Sequence, residues 1–393
     1  MSTKTVPGTP SWLRERNERA ALSLLFEHGV LTRNRIGELS GLSKPTASQI
    51  VARLEGAGLI EVVGEVSGGR GPNAQSYGVR STRVLGVAID IDKSVIRSTV
   101  VDAAGTEHPV AERSIRGGSS GRSAASDIRE AIRAACVLSD NDPDAVRVVT
   151  VGLQGSIDPR TDELSFIDVL PRWPRQGIRK RLESALKIEV HVDNDVNLAA
   201  IAERSEGAGK GTTSFALLWI GEGLGLAVDL GGTVHRGSAG GAGEIGYLAV
   251  PWNGMSIDPT AQNLQDLFGG PAITAIARAH GIPGETDREV AQALTEHPAR
   301  QAVFEEVARR IALGVVPVLA ILDPELVVLG GPFGRAGGEL LAELVRAEVE
   351  RTTLWHPRAA RSEVPEFPVL RGAREVLMHL VRGRLLNELE SPA

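Results

Sequence analysis

Residues 41–58 read Gly-Leu-Ser-Lys-Pro-Thr-Ala-Ser-Gln-Ile-Val-Ala-Arg-Leu-Glu-Gly-Ala-Gly, which is a turn, a capped helix and a glycine stop. Ser43 is a favourable N-cap, Pro45 falls where first-turn N–H groups have no helical partner, and Gly56 and Gly58 suit the exit. At about 100° per residue, Ala47, Ile50, Val51 and Leu54 gather on one side, while Thr46, Ser48, Gln49, Ala52 and Arg53 lie on or beside the other. One face packs and the other is polar and slim. Such a face fits a major groove, where Gln and Arg make paired hydrogen bonds to base edges. The alternative is an ordinary amphipathic helix, and the flanking sequence decides between the two.

Upstream, Leu13, Ala20, Ala21, Leu24, Leu25 and Phe26 recur at helical spacing from Trp12 to His28, ending at Gly29. Thr32 suits the cap of a second short helix with Ile36 and Leu39 inward, and Ser40-Gly41 breaks it. Two short helices joined by a tight glycine turn make a helix-turn-helix. Downstream, Leu59–Val63 and Ser76–Val79 read as strands around Gly68-Gly69-Arg70-Gly71-Pro72, a hairpin wing. The unit over residues 11–80 is therefore expected to be a winged helix-turn-helix. Lys44, Thr46, Ser48, Gln49 and Arg53 are its expected DNA-binding residues. Arg70 between glycines suits a narrow A·T-rich minor groove, with a solvated loop as the alternative. Met1–Pro10 has no periodicity and is expected to be disordered.

Composition supports confining DNA contact to this part. The chain carries a net charge of −6, yet residues 1–80 hold 10 Lys/Arg against 7 Asp/Glu and the remainder 33 against 42. A local basic surface meets phosphates even on an acidic protein. At 393 residues the chain exceeds what one core serves, so further domains follow. Cys136 is the only cysteine, which excludes an internal disulfide and a multi-cysteine zinc site within one chain. It reads as a small buried hydrophobe. No apolar run has the length to cross a bilayer and no charged-then-apolar leader opens the chain, so a soluble cytoplasmic protein is expected.

The sequences Gly-Leu-Ser-Lys-Pro-Thr at 41–46, Leu-Glu-x-x-Gly-Leu-Ile at 54–60 and the Gly-Gly-Arg-Gly-Pro wing resemble the N-terminal domain of ROK-family transcriptional repressors. That family joins bacterial repressors and sugar kinases. Beyond residue 82 the pattern is α/β: extended runs at 84–91, 94–101, 146–153, 188–192, 215–220, 226–230, 245–250 and 325–329, with helices near 126–138, 302–322 and 371–386. Two similar α/β lobes account for it. The resemblance continues there through Asn194-Asp195-Val196-Asn197, Gly221 to Gly225, Gly243-Glu244-Ile245-Gly246 and Asp323 through Gly331. It implies, for residues 82–393, the two-lobed actin-like (ribonuclease-H-like) ATPase-type ROK domain.

In family kinases an Asn-Asp pair holds sugar hydroxyls and its Asp is the general base, so the resemblance implies sugar contacts at Asn194 and Asp195. Without the family, such a run is a turn or a helix cap. Glu244 is implied as a further effector residue, with a buried ion-paired Glu as the alternative. The phosphate loops depart from the pattern. Asp-x-Gly-Gly-Thr appears as Asp90-Ile91-Asp92-Lys93-Ser94, losing both glycines, and Gly-Thr-Gly as Gly221-Glu222-Gly223. Side chains at 92 and 93 obstruct close approach, and Asp92 and Glu222 put carboxylates where phosphate oxygens belong. Asp229-Leu-Gly-Gly-Thr233 matches the first loop letter for letter but follows a late strand and leads into another extended segment, so it reads as a hairpin turn. The family's zinc module is absent: Tyr247 replaces its histidine, and 258–266 holds no cysteine. Tyr247 is expected either to contact the effector or to close the pocket.

These readings lead to a DNA-binding regulator, a repressor, whose kinase-like domain senses a sugar without catalysis, cofactor or metal. Its expected partners are double-stranded operator DNA, a sugar effector and further copies of itself, as a homo-oligomer built on dimers, and no membrane. The rivals are a sugar kinase with an added DNA-binding domain and a regulator that has lost its ligand.

Overall fold

The computed structural model describes residues 9–66, 73–115, 123–165, 173–252 and 254–389. The N-terminal eight residues and the wing tip with Arg70 lie outside them. The chain forms two compact units, one holding residues 1–151, 179–191 and 374–393, the other 152–178 and 192–373.

The first unit opens with α1 (Pro10–His28), capped by Thr9. After β1 (Leu31–Thr32) come α2 (Arg33–Ser40), capped by Thr32, and α3 (Lys44–Gly56), capped by Ser43 with Pro45 in its first turn. Gly41 adopts the left-handed backbone (φ 70°) that the turn between α2 and α3 requires. Ala47, Ile50, Val51 and Leu54 are all 3% exposed or less, as their spacing predicts. β2 (Ile60–Val66) and β3 (Ala74–Val79) pair antiparallel, and β1 adds to β3, giving sheet order β1-β3-β2. β1 is too short for alternation to reveal. The buried Tyr77 of β3 bonds Arg33, whose guanidinium also stacks on its ring, tying α2 to the sheet.

Only a few residues separate β3 from β4 (Leu85–Ile91), and they are held on both sides. The Arg80 N–H donates to Leu59 O (2.9 Å), and Arg83 Nε donates to Glu388 (2.9 Å). β4 pairs antiparallel with β5 (Val95–Val101), and β5 with β6 (Ala111–Ser114). α4 (Ala124–Leu138) carries a capping box at Ser123 and Ser126. Cys136 is fully buried on α4, and burial, then Asp142, pushes its thiol up to about 11, so it packs as an inert hydrophobe. β7 (Val146–Leu153) follows; the small hairpin of β8 (Ser156–Asp158) and β9 (Glu163–Ser165) after it belongs to the second unit. After α5 (Ile178–Leu186), β10 (Glu189–Asn194) completes a sheet of order β10-β7-β4-β5-β6.

The second unit is organised by α6 (Asp195–Glu206) and a sheet of order β13-β12-β11-β14-β15. β11 (Ser214–Ile220) and β12 (Leu224–Leu230) form a hairpin, and β12 turns into β13 (Thr233–Val234). The helices that follow are α7 (Leu264–Phe268), α8 (Gly270–Ala279), α9 (Asp287–Leu294) and α10 (Arg300–Leu322). β14 (Leu326–Gly330) runs parallel to β11, α11 (Gly331–Thr352) leads to β15 (Ala359–Arg361), and α12 (Pro368–Glu388) ends the chain. Strand alternation divides the core: Ala216, Leu218 and Ile220 pack among α7, α8, α10 and α11, while Phe215, Leu217 and Trp219 pack against α6. Both faces are covered, so β11 is apolar without alternation from Phe215 to Ile220.

One expected strand is absent. Residues 245–250 instead begin with a 3₁₀ turn, Ile245–Tyr247, because successive N–H groups close i→i+3 bonds (Tyr247 N–H to Glu244 O, Leu248 N–H to Ile245 O). Gly246 lies too near Leu224 O for a relaxed side chain, a Cβ there falling 3.1 Å away. The Asp229–Thr233 stretch is a hairpin turn, as expected: Leu230 pairs with Thr233 across Gly231 (φ 62°) and Gly232 (φ 83°). Asp229, 1% exposed, bonds Arg204 and accepts the Gly232 N–H, a structural duty. Among the described residues no helix is long and apolar enough to cross a membrane.

Candidate functional site

Two sites emerge, one in each unit. On α3 the side chains of Lys44, Ser48, Gln49 and Arg53 are exposed and Thr46 is half-buried. They are not equivalent. Thr46 Oγ1 lies 2.8 Å from Ser43 Oγ and its N–H donates to that hydroxyl, so Thr46 is part of the cap. Arg53, in the last turn, donates to Glu18 of α1 at 3.3 Å. Lys44, Ser48 and Gln49 occupy the N-terminal half of α3, the part of a recognition helix that reaches base edges.

In the second unit Asn194 caps α6, its Oδ1 accepting the Asn197 N–H (3.0 Å) while its Nδ2 donates to Gly155 O (3.0 Å). The cap fixes where α6 begins, and Asp195 is thereby its first residue, at the positive end of the helix dipole. Asp195 Oδ1 accepts the Val196 N–H at 2.9 Å. Arg236 bonds the neighbouring Asp193 through Nε (3.2 Å) and Nη2 (2.6 Å), holding the segment that leads towards Gly240. Gly240 is pressed onto β8, where a Cβ would fall 2.2 Å from Ile157 O, and Gly243 onto β12, 1.8 Å from Leu226 O. Both have positive φ (80° and 91°), so glycine is required twice over. Glu244 follows, half-buried, and burial alone raises its carboxyl above the ordinary range. Tyr247 is 60% exposed at the end of the 3₁₀ turn.

Sequence reasoning missed Asp193, Arg236, Gln265 and Trp219. Gln265 of α7 accepts the Leu224 N–H (2.7 Å) and donates to Glu222 O (2.9 Å), so it grips the Gly221–Gly223 turn. A glutamine on a one-turn helix carries no signal of this. An open depression of ≈ 430 Å³ borders Gln265 but contains none of Asn194, Asp195, Glu244 or Tyr247 in its walls. Trp219 is the penultimate residue of β11, just before that turn. A Cβ on Gly221 would stand 3.1 Å from its Nε1, and one on Gly330 3.5 Å from its Cε3, so the indole spans both turns.

The altered loops are also internally satisfied. In the first unit the Lys93 N–H donates to the Asp92 carboxylate (2.7 Å), and Asp90 lies 3.5 Å from the buried Arg97. In the second, the Gly221 N–H donates to Gly223 O (3.2 Å). The segment where the family holds zinc offers unsuitable donors. Asp258 accepts from the Thr260 hydroxyl and N–H and from Arg310, and Asp266 accepts the Gln262 N–H. Thiolates and imidazoles are missing from it, so the residues present do not fit that metal.

An exposed polar face on α3 in one unit, and in the other an α6 N-terminus formed by Asn194 and Asp195, are the two features that the sequence marks for DNA and for an effector. A model described as ROK family matches residues 86–366, and one described as MarR family matches residues 16–71. The chain belongs to the ROK family and carries a MarR-type winged helix ahead of its ROK domain, the arrangement of the family's transcriptional regulators. A putative xylose repressor of Caldicellulosiruptor sp. is 20% identical, covering 92% of this chain and 94% of that one. An uncharacterised Clostridium perfringens protein is 30% identical over 63% of this chain and 81% of its own. A ROK family transcriptional regulator, described as a homologue of the E. coli MLC protein, superposes with TM-score 0.70 at 17% identity, covering 96% of this chain and 99% of that one. A Streptomyces griseus glucokinase solved with glucose and AMPPNP gives 0.59 at 23% identity, covering 74% and 98%. At these identities the two structures share the fold.

Proposed function

We propose that the protein is a sugar-responsive transcriptional repressor of sugar uptake or catabolism genes, in which residues 11–80 bind operator DNA and residues 82–393 sense a sugar without phosphorylating it. The observation that carries the absence of catalysis is the Asp92 carboxylate on the Lys93 N–H. A phosphate would have to displace that bond and then face the carboxylate itself. Asn194 and Asp195 supply hydroxyl recognition in this reading, with Glu244 and Tyr247 as the further effector residues. The repressor acts as a homo-oligomer built on dimers, recognising paired half-sites, since a lone winged domain has little contact area. With Arg70 in a minor groove, A·T-rich flanks are expected in footprints.

Sugar and operator binding are linked, and an ordinary coupling of about 1–3 kcal/mol changes operator affinity roughly 5- to 150-fold. α12 supports such coupling. It begins in the second unit, where Arg371 pairs with Glu206 of α6 (3.2 Å), and runs into the first, where Arg382 stacks on Phe26 of α1 (5.2 Å to the ring centre). Arg382→Ala should leave each ligand's separate affinity nearly unchanged and reduce the coupling. Calorimetry of sugar binding with and without operator checks this, and equal coupling in both proteins excludes the route. The same titrations test the function itself, alongside a coupled assay for ATP turnover. Sugar-dependent ATP consumption at an enzyme-like rate would establish a kinase instead.

Glu244 makes the response pH-dependent. Its ionised form accepts a sugar hydroxyl, so affinity should fall as pH drops through the raised carboxyl value, and sugar binding should release a proton. For folding the sign is opposite: the raised value favours the native state at acid pH, and that contribution is lost as pH rises through it. Calorimetry from about pH 5 to pH 8 in buffers of different ionisation heat measures both effects. Glu244→Gln should flatten the profile, and a flat profile in the parent protein removes Glu244 from the site.

A further inference from the structure

We infer that Trp219 determines the specificity of the effector site: its indole forms the wall on which an uncharged monosaccharide stacks, and sugar phosphates are excluded. This rests on the sugar-sensing reading and narrows it to one ligand class. Trp219 stands at the C-terminal end of β11, opposite Gly225 of β12. Cross-strand partners present their side chains to the same face, and a Cβ on Gly225 would fall 2.8 Å from Val196 Cγ2. Val196 directly follows Asp195, and Trp219 packs on the cluster that contains Val196. The indole therefore packs on the side of the sheet that faces α6, the helix that Asn194 caps and Asp195 begins. An apolar aromatic wall with a few convergent polar groups is how small-molecule sites are ordinarily built. A pyranose has matching chemistry, with a C–H face for the indole and edge hydroxyls for the carboxylate and amide.

The same indole takes the space over Gly221 and Gly330, the two turns where a phosphate could otherwise approach backbone. Charge acts in the same direction. Residues 193–197, 219–225 and 236–247 contribute carboxylates at 193, 195, 222 and 244, and Arg236 as their one Lys or Arg. That guanidinium is held by Asp193 through two nitrogens. The Leu224 N–H is likewise committed, to Gln265. A dianionic phosphate would meet carboxylates where it needs cations or N–H donors.

The test titrates the full-length protein with D-xylose, D-glucose and N-acetyl-D-glucosamine, and with glucose 6-phosphate and N-acetylglucosamine 6-phosphate, by calorimetry and tryptophan emission. At least one neutral sugar should bind, its phosphate should bind at least about tenfold more weakly, and the emission change should disappear in Trp219→Phe. Trp219→Phe should keep most of the affinity, while Trp219→Ala should weaken it about tenfold and reduce the discrimination against phosphate. Thermal melting and operator binding establish that the variants are folded. If Trp219→Ala does not fold, the sugar-versus-phosphate comparison on the unaltered protein and the Phe variant's emission still decide. A sugar phosphate binding as tightly as its parent sugar, or a folded Trp219→Ala with unchanged affinity, overturns the inference and leaves the sensor reading standing. Failure of every sugar and sugar phosphate to bind overturns both.

Discussion

Asp195→Asn is expected to leave operator binding intact and to weaken the sugar response at least about 100-fold, the scale of removing a charged partner from a desolvated hydrogen bond. The position explains why the two effects separate. Asp195 is the first residue of α6, with Asn194 making the cap, so the helix start survives the change. Loss of one negative charge from the first turn costs about 0.3–1 kcal/mol of stability. In a domain of this size that lowers the melting temperature by only a few degrees. Unfolding therefore cannot mimic the loss of response. Asn194→Ala is the poorer test, because it also removes the cap and the bond to Gly155 O. Calorimetry with the sugar and gel-shift titration with the operator measure the two sides. An Asp195→Asn protein that still releases operator at the parent sugar concentration places recognition elsewhere.

Gln49→Ala should weaken specific operator binding by about 1–3 kcal/mol, the worth of a bidentate contact to adenine, and leave non-specific binding unchanged. Lys44→Ala should weaken all sequences alike and reduce the slope of log affinity against log salt by about one. Arg53→Ala should have the smaller effect on sequence choice, because Arg53 is bonded to Glu18 and lies in the last turn of α3. Anisotropy titrations at several salt concentrations, on the operator and on an unrelated duplex, separate these outcomes. A Gln49→Ala protein that matches the parent on both duplexes removes α3 as the base-reading element.

Much of the fold was legible because its signals are local. Ser43 and Thr32 cap the helices for which they were read, since a cap is decided by the three residues that follow it. The inner face of α3 followed from 3.6-residue spacing, and β7 was legible end to end as a valine-rich run interrupted only by Arg147, Thr150 and Gly152. The 245–250 segment was misread for the same reason. Its apolar residues suit a strand, but i→i+3 bonds from Tyr247 to Glu244 and from Leu248 to Ile245 close it into a turn, at a place where a Cβ on Gly246 would crowd Leu224 O from some twenty residues away. β1, two residues long, is a strand only because β3 lies beside it.

The sequence alone therefore determined the winged helix, the α/β order beyond it, and the loss of glycine and hydroxyl from both phosphate loops. Each is a property of a residue and its near neighbours, where backbone sterics, capping and periodicity act. What fills those loops was decided only by tertiary structure. Gln265 reaches Glu222 from 43 residues away, Arg236 neutralises Asp193 from the same separation, and Trp219 covers Gly330 from a neighbouring strand. These pairings arise from sheet order and helix packing, and no local pattern encodes them, because hydrogen bonding and steric exclusion act through space between groups that chain spacing does not relate.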